Sequence, residues 1–401
     1  MPAFTHNPTA PDIMSRITLF LLLALTVLGA QAQSMVPSPP QISAIAYILI
    51  DATSGAVLAE HNADEQLPPA SLTKMMTSYV LANEVESGRV SEDDMVVVSE
   101  NAWSQNPVFA GSSLMWIEPG KDVSISDLER GIVISSGNDA TVAVAEHLAG
   151  SEAVFAEMMN THAEALGMKD TWYVNSHGLP DPEHLTTARD LATLARAIIT
   201  RFPTHYAVYK EKEFTYNNIR QYNRNTLMLE DPSVDGLKTG HTQAAGYCLV
   251  ASAERNGMRL VSVVMGTSST KARKNETRSL LNYGFRFFET LELFGPEHEL
   301  AKPRIWKGQQ DDVAVGLVDA TVLTLSRGKQ DSLVTEVVVQ PNLVAPLAVG
   351  DQVGTVTVTA DGETVFEAPV VALQAVEPSG FFARLWDSIL MWFAGLFSTG
   401  S

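Results

Sequence analysis

Ser71 and Lys74 stand three residues apart in Pro69-Ala70-Ser71-Leu72-Thr73-Lys74-Met75-Met76-Thr77-Ser78-Tyr79. The run that begins there is apolar and helix-favouring, so this spacing puts the hydroxyl and the amine on one face, a turn apart. A serine at a helix start sits among unpaired N–H groups, where developing negative charge is favoured. A lysine that is buried, or crowded by another cation, gives up its proton more readily and can accept one from a neighbouring hydroxyl. The pair therefore offers a serine nucleophile with its own base. The same spacing recurs at Ser268–Lys271 and Ser326–Lys329, so by itself it equally suits a capping serine beside a solvated lysine.

Two further clusters give it weight. Ser136-Gly137-Asn138 follows the apolar run Gly131 to Ser135 and precedes a helical segment, although S-x-N also occurs at Ser99–Asn101 and Ser104–Asn106. Lys238-Thr239-Gly240 occurs once, followed by His241-Thr242 and the strand-like run Tyr247 to Ala253. A strand edge that carries a cation, a hydroxyl and an unobstructed glycine backbone suits an extended substrate. The histidines show no H-E-x-x-H or comparable ligand spacing, so no metal or other cofactor is expected.

The elements that must position these residues follow from pattern. Ile42 to Ile50 and Ala56 to Glu60 read as a hairpin about Asp51-Ala52-Thr53-Ser54-Gly55. The Ser71 helix is followed by helical segments at Ile125 to Ile134, Asp139 to Ala149, Ser151 to Leu166 and Thr186 to Ile199. Strand-like runs return at Phe214 to Tyr222, Gly246 to Ala253 and Arg259 to Met265, and a closing helix spans Ala272 to Leu291. Strands at both ends of a helical middle predict an α+β domain whose sheet joins its two termini. After Gly295-Pro296, alternating runs such as Val353-Gly354-Thr355-Val356-Thr357-Val358 predict a small all-β domain, read as a spacer or docking unit. Beyond Glu377-Pro378, aromatic and aliphatic residues from Phe381 to Phe397 recur at helical spacing, with Arg384 and Asp387 on the opposite stripe. That is the pattern of an amphipathic helix lying in a membrane surface. A helix packed on the second domain is the other reading.

The whole chain has 401 residues and a net charge of −19, which argues against a nucleic-acid partner. Arg16 followed by the short apolar run Ile17 to Ala30 and by Ala30-Gln31-Ala32 reads as a signal peptide over residues 1–32, with Met14 as an alternative start. The lone Cys248, in an apolar run, reads as a buried, inert thiol.

S-x-x-K, S-x-N and K-T-G in this order and context are the signature of penicillin-interacting serine enzymes. The segments around Ser71, Ser136-Gly137-Asn138-Asp139-Ala140 and Val234-Asp235-Gly236-Leu237-Lys238-Thr239-Gly240-His241-Thr242 resemble the low-molecular-mass penicillin-binding proteins, D-alanyl-D-alanine carboxypeptidases of the peptidase S11 family. The likeness runs from about residue 42 to 397, and Gly284 to Thr290 resembles the end of that family's catalytic domain. It implies an α+β, serine β-lactamase/DD-peptidase-like domain (an antiparallel sheet with a helical region), then a small all-β domain and a C-terminal amphipathic helix. The expected boundaries are 33–41 for a linker, 42–295 for the catalytic domain, 296–376 for the β-rich domain and 377–401 for the tail.

The resemblance further implies roles. Ser71 attacks the carbonyl between the two D-alanines of a peptidoglycan stem peptide, with Lys74 as base, and penicillins and other β-lactams acylate the same hydroxyl. Ser136 and Lys238 relay the proton to the departing D-alanine, and Asn138 holds the substrate amide. The backbone N–H groups of Ser71 and His241 form an oxyanion hole. Arg273, helped by Thr239 and Thr242, takes the terminal carboxylate. Which lysine is the acylation base stays open. The implied place is the bacterial periplasm, on the outer face of the cytoplasmic membrane. Competing readings are a D,D-endopeptidase that cuts cross-links and a class A β-lactamase, for which Glu213 and Asn217 would have to serve from a poorly placed segment beside K-T-G. A catalytically dead peptidoglycan scaffold would be expected to have lost Ser71 or a lysine.

Overall fold

The computed structural model describes residues 36–398, so the leader expected over residues 1–32 lies outside the described residues. A five-stranded antiparallel sheet joins the two ends of the catalytic domain. Ala46–Asp51 (β1) and Val57–His61 (β2) form the first hairpin, and Val234–Thr242 (β3), Gly246–Arg255 (β4) and Met258–Thr267 (β5) return late in the domain. Their order in the sheet is β2-β1-β5-β4-β3, which leaves β3 on an edge. Every residue of β1 is buried, as suits an inner strand covered by helices.

Between β2 and β3 lie Lys74–Glu86 (α1), Ile125–Arg130 (α2), Asn138–Ala149 (α3), Glu152–Ala165 (α4), Ala188–Arg201 (α5) and Pro203–Tyr206 (α6). Thr270–Phe287 (α7) follows β5. The starts are set by serine and threonine caps. Ser124 Oγ accepts from the Asp127 N–H at α2, Ser151 Oγ from Val154 at α4, Thr187 Oγ1 from Asp190 at α5 and Ser269 Oγ from Ala272 at α7. α1 is buried without a break from Lys74 to Ala82, which makes it a core helix rather than a surface one. Its first residue is thus a lysine with no route to solvent.

Four local expectations are corrected. Ser71 does not open an α-helix: it lies in a 3₁₀ turn, Ala70–Thr73, and α1 begins at Lys74. The segment read as one helix to Ile134 leaves α-geometry at Gly131 and makes a π turn over Gly131–Ser135. The run Phe214 to Tyr222 is two strands, Glu213–Tyr216 and Ile219–Tyr222. Asn217 and Asn218, at φ 50° and 60°, make the tight turn that asparagine tolerates best after glycine. The closing helix stops at Phe287, and Phe288–Phe294 pairs as a strand with Thr321–Ser326. Periodicity hides that switch because Phe287 and Phe288 suit either geometry.

The β-rich part has its own five-stranded sheet, in the order His298–Ala301, Val315–Leu317, Glu363–Ala372, Gln352–Ala360, Leu333–Val339. Its core includes Val313, Val315, Val353, Val356 and Val370. It makes hydrogen bonds to the catalytic domain at the first hairpin and at the end of α7. Thr290 donates to the Asp51 carboxylate, Ser54 Oγ lies 2.5 Å from Thr324 Oγ1, and the Arg327 guanidinium donates to the Phe285 carbonyl at 3.1 Å. Phe381–Ser398 (α8) ends the described chain. Phe381, Phe382, Leu385, Trp386, Ile389, Trp392 and Phe393 all stay exposed on it, so this face is not packed on the β-rich part. Asp387 Oδ2 accepts the Lys307 N–H at 2.6 Å. No helix among the described residues is long and apolar enough to cross a membrane.

Candidate active site

The three sequence clusters meet in one cleft. Ser71, Ser136, Asn138, Thr239, His241 and Arg273 line it, with Gly240 and Thr242 beside them. Lys74 and Lys238 lie beneath it, 0% and 2% exposed.

Lys74 Nζ is 3.2 Å from Ser71 Oγ, 2.6 Å from Asn138 Oδ1 and 2.7 Å from the His177 carbonyl oxygen. Burial, reinforced by the Arg224 charge, lowers its pKa from 10.5 to about 7. A neutral amine has two N–H donors and one lone pair. Asn138 Oδ1 and the His177 carbonyl accept only, so they take both donors. The lone pair is left facing the Ser71 hydroxyl. Asn138 is oriented for this by donating from Nδ2 to Ser112 Oγ at 2.9 Å.

Lys238 Nζ donates to Ser136 Oγ at 2.9 Å. Burial comes first in holding this amine well below the usual lysine range, followed by the charges of Lys74, Arg224 and Arg273. The π turn delivers Ser136. Its residue is left-handed, at φ 60° and ψ 34°, which turns the hydroxyl out of the helical path. Gly137 then passes so close to the Met115 N–H (2.8 Å from a built Cβ) that a side chain would collide. Asp139 holds the segment opposite by accepting the N–H groups of Met115, Trp116 and Ile117 at 2.8, 2.8 and 3.2 Å.

The backbone at Ser71 is clamped from behind. Ala70 has φ 50°, and a Cβ on Gly178 would lie 1.8 Å from the Ala70 carbonyl oxygen, so only glycine fits there. His184 Nδ1 accepts the Val174 N–H at 3.0 Å, so its Nε2–H donates to Thr73 Oγ1 at 2.8 Å. That hydroxyl in turn donates to the Ala70 carbonyl, also at 2.8 Å. Burial pushes the His184 pKa down to about 4, so the ring stays neutral and the chain of bonds keeps its direction.

Arg273 stands in the first turn of α7 and turns inward. Its Nη1 donates to the Gly240 carbonyl at 3.0 Å and to that of Cys248 at 3.3 Å, and its guanidinium lies 5.8 Å from the Tyr247 ring centre. Tyr247 stacks on His241, with ring centres 4.0 Å apart. Lys274, by contrast, turns outward to Glu230. Cys248 is buried and its pKa is pushed up to about 11.

Sequence reasoning missed Arg224, which lines the cleft and makes no side-chain hydrogen bond or ion pair among the described residues. It also missed the His177 carbonyl, Ser112 and Gly178. None of these carries a local signal, because each acts through a loop whose path depends on distant packing. Glu213 sits outside the cleft, on the Glu213–Tyr216 hairpin strand, paired with Arg220. Among the described residues no group of His, Cys, Asp and Glu is placed to hold a metal ion.

The family profile described as D-alanyl-D-alanine carboxypeptidase, peptidase S11, matches residues 33–269, and that of the penicillin-binding protein 5 C-terminal domain matches residues 288–378. The chain belongs to the peptidase S11 family. It is a serine-type D-alanyl-D-alanine carboxypeptidase of the penicillin-binding protein kind. The chain is 44% identical to the D-alanyl-D-alanine carboxypeptidase DacC of Escherichia coli over 94% of its own length and 96% of the relative's. It is also 44% identical to DacA of the same organism, over 95% and 97%. Penicillin-binding protein 5 of Haemophilus influenzae superposes with a TM-score of 0.82 at 42% identity, covering 85% of this chain and 99% of that one. The ampicillin-bound penicillin-binding protein D2 of Listeria monocytogenes gives 0.55 at 29%, covering 62% and 100%.

If Lys74 is the base, its amine must be neutral to accept the serine proton. Since burial lowers its pKa to about 7, the acylation rate should climb as pH rises through about 7 and flatten above. Lys74→Arg, which stays protonated, should lose activity nearly as fully as Lys74→Ala. Stopped-flow acylation by a chromogenic β-lactam across pH checks both. Substantial acylation by the Arg variant would mean that position 74 serves only as a fixed charge.

Proposed function

We propose that the enzyme removes the terminal D-alanine from peptidoglycan stem pentapeptides through an acyl-enzyme on Ser71. The observation that carries this reading is the buried Lys74 amine, its pKa lowered to about 7, lying 3.2 Å from Ser71 Oγ with Asn138 Oδ1 and the His177 carbonyl as its other partners. The stem peptide adds as a strand along the free edge of β3. Ser71 Oγ bonds to the carbonyl carbon between the two D-alanines as its proton passes to Lys74. The carbonyl oxygen takes up negative charge against the N–H groups of Ser71 and His241. The C–N bond then breaks, and the departing amine takes a proton through Ser136 and Lys238. Asn138 steadies both Lys74 and the substrate amide. Water hydrolyses the ester and restores Ser71. A β-lactam would enter the same path and leave a slow ester, which fits the ampicillin complex of the Listeria relative.

Arg273 is the carboxylate anchor in this reading, since its guanidinium lines the cleft behind Gly240, with Thr239 and Thr242 as hydroxyl partners. The exposed aromatic face of α8 lies on the membrane surface, with Trp386 and Trp392 at headgroup depth, on the periplasmic side of the cytoplasmic membrane.

Ser71→Ala should abolish both pentapeptide turnover and covalent labelling by fluorescent penicillin. Mass spectrometry of the wild-type products should show loss of one alanine, whereas a cut cross-link would make it an endopeptidase, and labelling of the Ala variant would exclude Ser71. Arg273→Ala should cost about 1.5–3 kcal/mol, or roughly 10- to 150-fold in kcat/KM, on a D-alanyl-D-alanine acid and little on its C-terminal amide. An unchanged acid-to-amide ratio would place the carboxylate elsewhere. Truncation after Val376 should leave small-peptide turnover intact and move the protein from the membrane pellet to the supernatant. Continued sedimentation with membranes would remove α8 as the anchor.

A further inference from the structure

Ser136 and Lys238 reach each other from different elements, the first at the end of α2 and its π turn, the second from edge strand β3. Their link inside the cleft is one hydrogen bond of 2.9 Å. A single bond between a flexible amine and a hydroxyl does not hold two backbones in place, so packing elsewhere must.

The short helix α6 grips both elements from behind with adjacent residues. His205 Nδ1 lies 2.9 and 3.1 Å from the two Glu129 carboxylate oxygens, and both side chains are buried. Glu129 belongs to α2, whose helical path continues through the π turn to Ser136. The next residue, Tyr206, donates its hydroxyl to Asp235 Oδ1 at 2.5 Å, on β3 just ahead of Lys238. Its ring also lies against the same strand, since a Cβ on Gly236 would sit 2.9 Å from the Tyr206 oxygen and 3.1 Å from Cε2. Arg259 donates to the same Asp235 Oδ1 from Nη1 at 2.8 Å and to Asp235 Oδ2 from Nη2 at 3.0 Å.

Burying a carboxylate and an imidazole is unfavourable unless the pair is well matched. A helix of four residues has no core of its own to stabilise with such a pair. Neither His205 nor Tyr206 lines the cleft. The two contacts link α2 and β3 through adjacent residues of one short helix.

We propose that His205 and Tyr206 are positioning residues that set the separation of Ser136 and Lys238. This rests on the reading of those two residues as the proton relay. A relay tolerates little misplacement, and a shift of about 1 Å in such a group can cost on the order of 100-fold in rate.

The test uses the full chain with His205→Leu, His205→Asn, Tyr206→Phe and, as a control on the relay, Ser136→Ala. For each, the penicillin acylation rate, kcat and KM on a D-alanyl-D-alanine peptide, and Tm are measured, the kinetics well below Tm. His205→Leu should lower acylation and kcat about 10- to 100-fold with KM within about twofold. His205→Asn, whose amide nitrogen takes the place of Nδ1 and can still donate to Glu129, should recover to within about threefold of wild type, and Tyr206→Phe should lose about threefold or more. A merely structural role would lower Tm and leave the folded enzyme's kcat and acylation rate alone. A folded His205→Leu enzyme that acylates at the wild-type rate overturns the proposal. If that variant does not fold, Tyr206→Phe at the wild-type rate overturns it instead. Ser136→Ala should be inactive. Should it acylate normally, the relay itself is wrong, an outcome separate from any result on α6.

Discussion

An amine sealed beneath the serine is the constraint on which this structure turns. Lys74 is the first residue of a helix buried for its opening turns, so its ammonium has no water to fall back on. The free energy lost by desolvating the charged form is what brings the pKa to about 7. Two carbonyl acceptors then consume the donors of the neutral amine and leave its lone pair one direction to face. In the proposed mechanism nucleophile activation is thus a consequence of packing, and any change that lets water reach Lys74 weakens it.

Each neighbouring device can be read as protecting that arrangement. The His177–Gly178 loop supplies one acceptor and presses against the backbone just before Ser71, which is why Gly178 has no room for a side chain. His184, kept neutral by burial, locks the Thr73 hydroxyl onto the Ala70 carbonyl. Asn138 gives its oxygen to Lys74 and its nitrogen to Ser112, so one amide orients the Lys74 amine and ties two segments together. Several cations crowd the cleft of a chain whose net charge is −19. Arg224 and Arg273 help depress Lys238, and Arg224 also depresses Lys74. Their local positive field suits an anionic substrate end in a way the overall charge does not suggest.

The β-rich part contributes no residue to the cleft. Its contacts with the catalytic domain include hydrogen bonds at the first hairpin and at the end of α7 and the Tyr283–Phe288 ring contact. It hydrogen-bonds α8 through the Lys307 N–H and Asp387, and leaves the aromatic face of that helix bare. A sheet with its own valine core placed between enzyme and tail fits a spacer better than a second active site.

Much of this was legible from residue order. Helix and strand periods gave an α+β domain followed by alternating strands, because a buried face imposes its repeat on the residues that cover it. Ser71, Lys74, Ser136, Asn138 and the Lys238 segment were visible because the chemistry expected of them needs fixed residue types at short spacings, and the structure brings them together, Ser71, Ser136 and Asn138 lining one cleft with Lys74 and Lys238 beneath it. The places where local reading failed are those where geometry is irregular. The 3₁₀ turn at Ser71, the π turn before Ser136 and the change from helix to strand at Phe288 carry no period of their own. Only the tertiary structure shows that Lys74 is dry, that Arg224 faces the cleft unpaired, and that a carbonyl of residue 177 completes the shell of residue 74. A residue's type and neighbours along the chain set what it can donate or accept. Its protonation state and its partners are decided by solvent exclusion and by contacts between segments distant in sequence, which no local pattern encodes.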